Sequence, residues 1–327
     1  MSRAWAGSAC MQKYPRAEFP PASCATAPNV VLCITAIQRP KAVTTRNIEQ
    51  IVRASTVSEG AGVTVHRTIG TPALRRLDPF LMLDQFRSDN PDEYIAGFPD
   101  HPHRGFVTLT YMLDGHMLHQ DSMGNRGDLH AGGIQWMKAA SGVIHSEMPQ
   151  QTNGLMRGFQ LWINLPAAEK MSRPEYQEFS VTRIPEVVSG GTHVRIICGE
   201  YAGQHGPVDD RHTHVTYLDV ELGPGAEFSH DLGSTMHGFL CPFEGEILVD
   251  RKHVSTHDLA VLGPGDRVTL TSGNTGARLI LVAGQPLNEP AVQYGPFVMN
   301  TDEEIRQAID DYRNGRLVRG TQPHRAT

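Results

Sequence analysis

From Thr56 onward the chain is cut into short alternating polar and apolar segments separated by Gly, Pro, Asn and Asp, a punctuation that admits strands and little else. "VTLTYML" (Val107 to Leu113), "IQWM" (Ile134 to Met137), "GFQLWINL" (Gly158 to Leu165), "HVRIIC" (His193 to Cys198), "VTYLDVEL" (Val215 to Leu222), "EILVD" (Glu246 to Asp250) and "RVTL" (Arg267 to Leu270) read as strands. Turns of the type "GPG", at Gly223 to Gly225 and Gly263 to Gly265, divide them. The predicted class is all-β, built from antiparallel barrels or sandwiches. The exception is "TDEEIRQAIDDYRNG", where Thr301 as N-cap and Glu304 three residues on form a capping box. Ile305, Ala308, Ile309 and Tyr312 fall on one helical face, and Gly315 suits the stop. This C-terminal helix is expected to serve packing rather than chemistry.

A weak internal echo links "LDGHMLHQDSMGNRGDLHAGGIQWM" with "FEGEILVDRKHVSTHDLAVLGPGDRVTL", each passing from a Gly turn through a strand and polar loop to another strand. Two β-barrels in tandem explain it, and 327 residues suffice to bury both cores. The expected division is an N-terminal extension over 1–46, a first barrel over 47–170, and a second barrel with the terminal helix over 171–327. The connection is sought in Leu165 to Phe179, where Pro166 and Pro174 bracket a polar run. Residues 1–46 carry Arg3, Lys13, Arg16, Arg39, Lys41 and Arg46 against Glu18 alone, and are expected to be a disordered tail or a targeting segment. "NVVLCITAI", Asn29 to Ile37, is too short and too late for a secretory signal.

The net charge is −6, so with that basic extension set aside the body is more acidic still and repels phosphate backbones. Direct nucleic-acid binding is not expected. No apolar run approaches the eighteen or so residues of a membrane span, so membrane insertion is not expected either. Cys10, Cys24, Cys33, Cys198 and Cys241 are odd in number and lack close pairing, which fits a reducing cytoplasm. A monomer is expected.

The chemistry concentrates in "DHPHRGF" (Asp100 to Phe106) and "GVIHSEM" (Gly142 to Met148). With 16 histidines in the chain, roughly one His-x-His pair arises by chance, and there are two: His101/His103 and His212/His214. What distinguishes the first is the second segment. Residues two apart on a strand share a face, so His101 with His103, and His145 with Glu147, can enter one interior. Continuing that parity from His103 puts Val107, Leu109, Tyr111 and Leu113 inward as an apolar lining, and Arg104, Thr108 and Thr110 outward. His212 and His214 lack a carboxylate partner and are read as chance or surface residues. Three imidazoles and a carboxylate leave one or two positions open on an ion and suit Fe(II), Mn, Ni, Co, Cu or Zn, so ligand type alone does not choose the metal; two histidines and a carboxylate on one face, with an additional histidine, favour non-haem iron. His116, His119 and His130 flank the site as candidates to orient its ligands, against the more common fate of a solvated loop histidine; Trp136 and Trp162 are expected in the core, and Arg104 in a salt bridge.

"LDPFLMLDQF", "HPHRGFVTLTYMLDG", "GGIQWMKAASGVIHSEMP" and "EPAVQYGPFVMNTDEEI" resemble the pirin family of the cupin superfamily, from about Arg46 to the terminal helix. The resemblance implies a bicupin of two jelly-roll barrels, with one divalent metal, usually iron, in the first. It implies His101, His103, His145 and Glu147 as the ligands. Cupins generally place a Glu four residues after the second His, where this chain has Val107; the carboxylate is then supplied by Glu147. Aligning the turns at Gly115 and Gly245 sets Asp231 and Gly233 where His101 and His103 stand, so no metal is expected in the second barrel.

The resemblance implies two functions, and the ligand set admits a third. The first is a quercetin 2,3-dioxygenase, cleaving a flavonol-like aromatic substrate with O2 and releasing carbon monoxide, with Glu147 as the base. The second is an iron-dependent regulatory protein that binds a transcription factor or a metabolic enzyme without turnover. The third is a metal-stabilised structural protein, disfavoured because structural sites are usually closed.

Overall fold

The computed structural model describes residues 43–319, which form antiparallel strands throughout and one α-helix. Three larger sheets carry the architecture. A seven-stranded sheet runs Glu175–Phe179, Ile134–Lys138, Phe106–Asp114, Met156–Asn164, Phe80–Ser88, Val63–Ile69, Ser55–Glu59. A four-stranded sheet runs Phe98–His103, Val143–Pro149, His116–Asp121, Arg126–His130. The nine-stranded third sheet is drawn from the second half of the chain, together with Ile48–Val52 at its edge. All seven segments read as strands lie in these sheets, and the segment at Glu246 belongs to a longer strand, His237–Val249.

Phe106–Asp114 shows why alternation alone misplaces a face. Eight of its nine residues are buried, because both sides of the strand are covered. Val107, Leu109, Tyr111 and Leu113 join a core cluster with Tyr217, Phe239, Ile280 and Val282 of the nine-stranded sheet. Each such side chain contributes about 1.5–3 kcal/mol on burial. Phe106 and Met112 lie in other clusters, among Leu81 and Trp162 and among Val65 and Met117 respectively. The predicted apolar lining therefore packs between the two halves of the chain rather than beside the histidines. The parity fails at Arg104 and Gly105, which separate two distinct strands: Gly105 has φ +90°, and the alternation starts afresh at Phe106. Val107, which stands where cupins generally place a Glu, therefore faces this core and not the histidines.

The two large sheets are not taken from contiguous halves. Ile48–Val52 pairs with Leu259–Leu262 in the nine-stranded sheet, whereas Glu175–Phe179 pairs with Ile134–Lys138 in the seven-stranded one. Of the expected N-terminal extension, residues 43–46 are described, and Arg46 is buried, donating to the carbonyls of Gly263 at 3.1 Å and Gly233 at 2.7 Å. The rest of that segment, with "NVVLCITAI" and Cys10, Cys24 and Cys33, lies outside the described residues.

The helix Asp302–Arg313 has the predicted capping box, with Thr301 and Glu304 bonding reciprocally. Ile305 and Ala308 pack on Phe297, Met299 and Leu317, with Ile309 half-buried beside them. Tyr312 stays 42% exposed with its ring edge-on to Phe297. The helix also brings a charge to the histidine segment: Asp311 accepts from Arg104 Nη1 at 2.8 Å. Arg104, predicted to face out, is 1% exposed and also donates to the carbonyls of Ser141 and Leu317. Its predicted salt bridge is thus present, but inside the protein.

Candidate metal centre

His101 and His103 end the strand Phe98–His103, and the neighbouring strand Val143–Pro149 sets His145 directly opposite His101. This register brings three imidazoles together. His101 Nε2 and His103 Nε2 are 3.1 Å apart, and the His145 ring centroid lies 4.3 Å and 4.9 Å from theirs. One ring nitrogen from each falls within 4.8 Å of the other two. Two nitrogens bound at right angles to one ion stand about 3 Å apart, given metal–nitrogen bonds near 2.1 Å. The separation of His101 and His103 matches that requirement.

The hydrogen bonds on the far sides of the rings direct nitrogens inward. His101 Nδ1 donates to the Pro99 carbonyl at 2.8 Å, leaving Nε2 with its lone pair. His145 Nδ1 meets His119 Nδ1 at 3.3 Å, and His119 Nε2 reaches Asp121 Oδ2 at 3.3 Å. If His119 donates to Asp121, its Nδ1 accepts from His145, and His145 Nε2 is left as a lone pair. That Nε2 is buried and has no hydrogen-bond partner, the condition of a nitrogen shaped for a metal ion. Asp121 is anchored by Met123 N, Asn125 N and Asn125 Nδ2. Burial opposes its ionisation, but the hydrogen bonds from His119 and Asn125 outweigh this and hold its carboxyl below the usual range. Burial, followed by the neighbouring rings, pushes His103 and His145 well below ordinary imidazole values. Both are therefore neutral at physiological pH, the form that binds metal.

Glu147 shares the buried face of its strand with His145, two residues on, but stands outside the 4.8 Å cluster of nitrogens. A bulge intervenes, since His145 opposes His101 whereas Glu147 opposes Phe98. Thr110 Oγ1 donates to its Oε1 at 3.2 Å, and Gln160 Nε2 to its Oε2 at 2.8 Å. Trp162 Nε1 donates to Gln160 Oε1 at 3.3 Å, fixing which way that amide points. Of the four residues singled out in the sequence, three converge and the fourth is held beside them.

A cavity of 610 Å³ opens onto His101 and His103. Its apolar walls come from Met82, Phe98, Pro99, Trp162 and Pro296, and its polar groups include Gln160 and the Arg67–Asp84 pair. Arg67 grips Asp84 with both ends of its fork, at 2.7 Å and 2.6 Å. Trp162 is in a core cluster, as expected, and also lines this cavity, setting its ring edge-on to His103 at 5.1 Å. Trp136 is in the core as expected. Strand parity placed Thr110 outward, yet it is buried and reaches Glu147; Asp121 and Gln160 were not marked by the sequence, and of the flanking histidines it is His119 that contacts His145. The available signal was spacing by two: His119 with Asp121, and Gln160 with Trp162.

The other histidine pair forms no comparable centre among the described residues. His212 Nε2 lies 3.8 Å from Glu169, and His214 sits in a left-handed turn with φ +47°. In the nine-stranded sheet, Asp231 pairs with Arg267, and Leu279 to Val282 are fully buried aliphatic residues. No metal-type cluster involves that sheet among the described residues.

Two antiparallel β-sheet systems in one chain, with a three-histidine centre confined to the first, define a bicupin. The Pirin family model matches residues 62–163, and the model of the Pirin C-terminal cupin domain matches residues 217–318. The chain belongs to the pirin family. It is 47% identical over 281 residues to a Pseudomonas aeruginosa protein named "Putative quercetin 2,3-dioxygenase", covering 84% of this chain and 98% of that one. A crystal structure of quercetin 2,3-dioxygenase from Acinetobacter baumannii superposes with a TM-score of 0.78 at 30% identity, over 84% of this chain and 98% of that one. A bacterial pirin from Escherichia coli, solved in complex with nickel(II), shares the fold with a TM-score of 0.59 at 18% identity, over 72% and 98% of the respective chains. No helix among the described residues is long and apolar enough to cross a membrane.

Proposed function

We propose that this chain is a metal-dependent dioxygenase acting on a flavonol-type substrate, cleaving its central ring with O2 and releasing carbon monoxide, as a quercetin 2,3-dioxygenase does. The observation that carries the reading is the buried, unpartnered Nε2 of His145 converging with His101 and His103, the two histidines that line a 610 Å³ cavity. His101, His103 and His145 hold one divalent ion, Fe(II) in preference, with Mn, Ni, Co, Cu and Zn as competitors of the same ligand chemistry. The Pseudomonas and Acinetobacter relatives support the substrate class, and the Escherichia coli pirin solved in complex with nickel(II) supports a bound metal.

When bound, the ion would supply Lewis acidity towards the substrate's 3-hydroxyl and the chemistry that engages O2. The cavity walls do the rest of the positioning. Trp162, Phe98 and Met82 offer flat and flexible apolar surface to an aromatic ring system. Glu147 takes the hydroxyl proton and completes the carboxylate share of the site, with Thr110 and Gln160 fixing the orientation of its carboxylate, one at each oxygen. Gln160 both lines the cavity and touches Glu147, so it transmits substrate position to the base.

The test is anaerobic reconstitution with Fe(II), Mn, Ni, Co or Cu, followed by air and quercetin, with loss of the flavonol absorption as readout. Turnover that disappears in Glu147→Ala and His101→Ala supports the reading. Metal binding without turnover for every ion would overturn it in favour of a regulatory protein that binds another protein through the metal-loaded fold.

A further inference from the structure

A second cluster of metal-ligating side chains lies on the outer hairpin of the four-stranded sheet. His116 and His130 are directly opposed across the antiparallel pair His116–Asp121 and Arg126–His130. Asp128 precedes His130 by two residues and so shares its face. The two imidazoles stack with centroids 3.9 Å apart and planes 19° apart. The carboxylate spans them, with Oδ1 at 2.7 Å from His116 Nε2 and Oδ2 at 3.3 Å from His130 Nε2. One ligand atom from each of the three falls within 4.8 Å of the other two.

We infer that His116, Asp128 and His130 form a second, solvent-accessible site for a borderline divalent ion such as Zn(II), Cu(II) or Ni(II). Two imidazoles and one carboxylate are the donor set such ions prefer, whereas Mg(II) and Ca(II) require shells of oxygen. The site is distinct from the buried centre: His116 and His119 are an odd number of residues apart on one strand and therefore face opposite sides of the sheet. Water can reach it, because the side chains of Asp128 and His130 are 62% and 64% exposed. Binding moves each ring proton from Nε2 to Nδ1, freeing the nitrogens that now meet the carboxylate. Water completes the coordination.

The bound ion would have a structural consequence. Arg126–His130 is the edge strand of its sheet, with a strand partner on one side only and the Asp128 N–H donating to Glu178 Oε1 on the other. An ion shared by His116, Asp128 and His130 fastens this edge to the strand that carries His119 behind His145.

The experiment is calorimetric titration of the chelator-stripped full chain with Zn(II). Two equivalents are expected in the unaltered protein. His116→Ala/His130→Ala should retain one equivalent, and Asp128→Asn should weaken the second by tenfold or more. In parallel, Zn(II) should slow amide hydrogen exchange in residues 126–130 of the unaltered chain and not of the double variant. A single equivalent in the unaltered chain, a second equivalent that survives the double substitution, or unchanged exchange at 126–130 would each overturn the assignment. None of these results bears on flavonol turnover, so failure here and failure of the dioxygenase reading are separable.

Discussion

His119 Nδ1 lies 3.3 Å from His145 Nδ1, wholly buried, and turns the opposite edge of the His145 ring towards His101 and His103. Behind it, the Asp121 carboxylate accepts a hydrogen bond from His119 Nε2–H. Groups in this position fix the tautomer of a metal-binding imidazole, and their loss typically costs 10–100-fold in metal affinity. His119→Ala and Asp121→Ala are therefore expected to weaken Fe(II) or Ni(II) binding by about that factor, in competition with a chromophoric chelator. An unchanged affinity in a folded variant would show that His145 is oriented by packing alone.

Glu147 and its two donors make a separable prediction. Gln160→Ala leaves the three histidine nitrogens in place but removes the amide that holds Oε2. Turnover should fall by roughly 10²-fold or more if Glu147 moves the proton, with metal affinity much less affected. Equal losses in both quantities would make Glu147 chiefly a ligand.

Arg104 and Asp311 tie the histidine segment to the C-terminal helix, with side chains 1% and 8% exposed. Removing one partner of such a pair strands a buried charge, so Asp311→Ala should cost about 3–5 kcal/mol in denaturant unfolding. Arg104→Met/Asp311→Leu should recover much of that loss. A double variant no better than Asp311→Ala would mean that the Arg104 bonds to the Ser141 and Leu317 carbonyls matter more than the ion pair.

Lys170 predicts a pH dependence. Its ammonium is 1% exposed and donates to the Gly105 and Val298 carbonyls and to Asn164 Oδ1. Burial pushes it down to about 8 from an ordinary 10.5. Between those values the unfolded chain binds the proton and the folded chain does not, so stability rises with pH across that window. Below pH 8 both states are protonated and the penalty is fully present. Lys170→Met should flatten this rise in stability curves measured from pH 7.5 to 10.5; an identical slope in the variant would assign the effect elsewhere.

Gly105 predicts a local failure. With φ +90°, it would bring an added Cβ within 1.9 Å of the Val298 carbonyl oxygen. Gly105→Ala should lower thermal stability and weaken metal binding together, because the turn it occupies sets His103 on one strand and Phe106 on the next. Loss of stability with full metal affinity would show that the two strands hold their places without it.

Much of this protein is legible in its sequence. Alternation and turn residues marked the strands, the Thr301–Glu304 capping box marked the helix, and spacing by two placed His101 with His103. These are local signals, set by backbone geometry over a few residues. The strand parity beyond Arg104, the polar donors around Glu147 and the chain of groups behind His145 depended instead on contacts between residues far apart in sequence. Thr110 and Gln160 reach Glu147 from different strands, and Val107 turns to the second half of the chain because Gly105 restarts the alternation. The sequence by itself determined an all-β chain carrying a set of metal-ligating residues. Which faces meet, and hence which side chains surround those residues, was decided only when the sheets packed, since a strand's two faces are equivalent until something covers one of them.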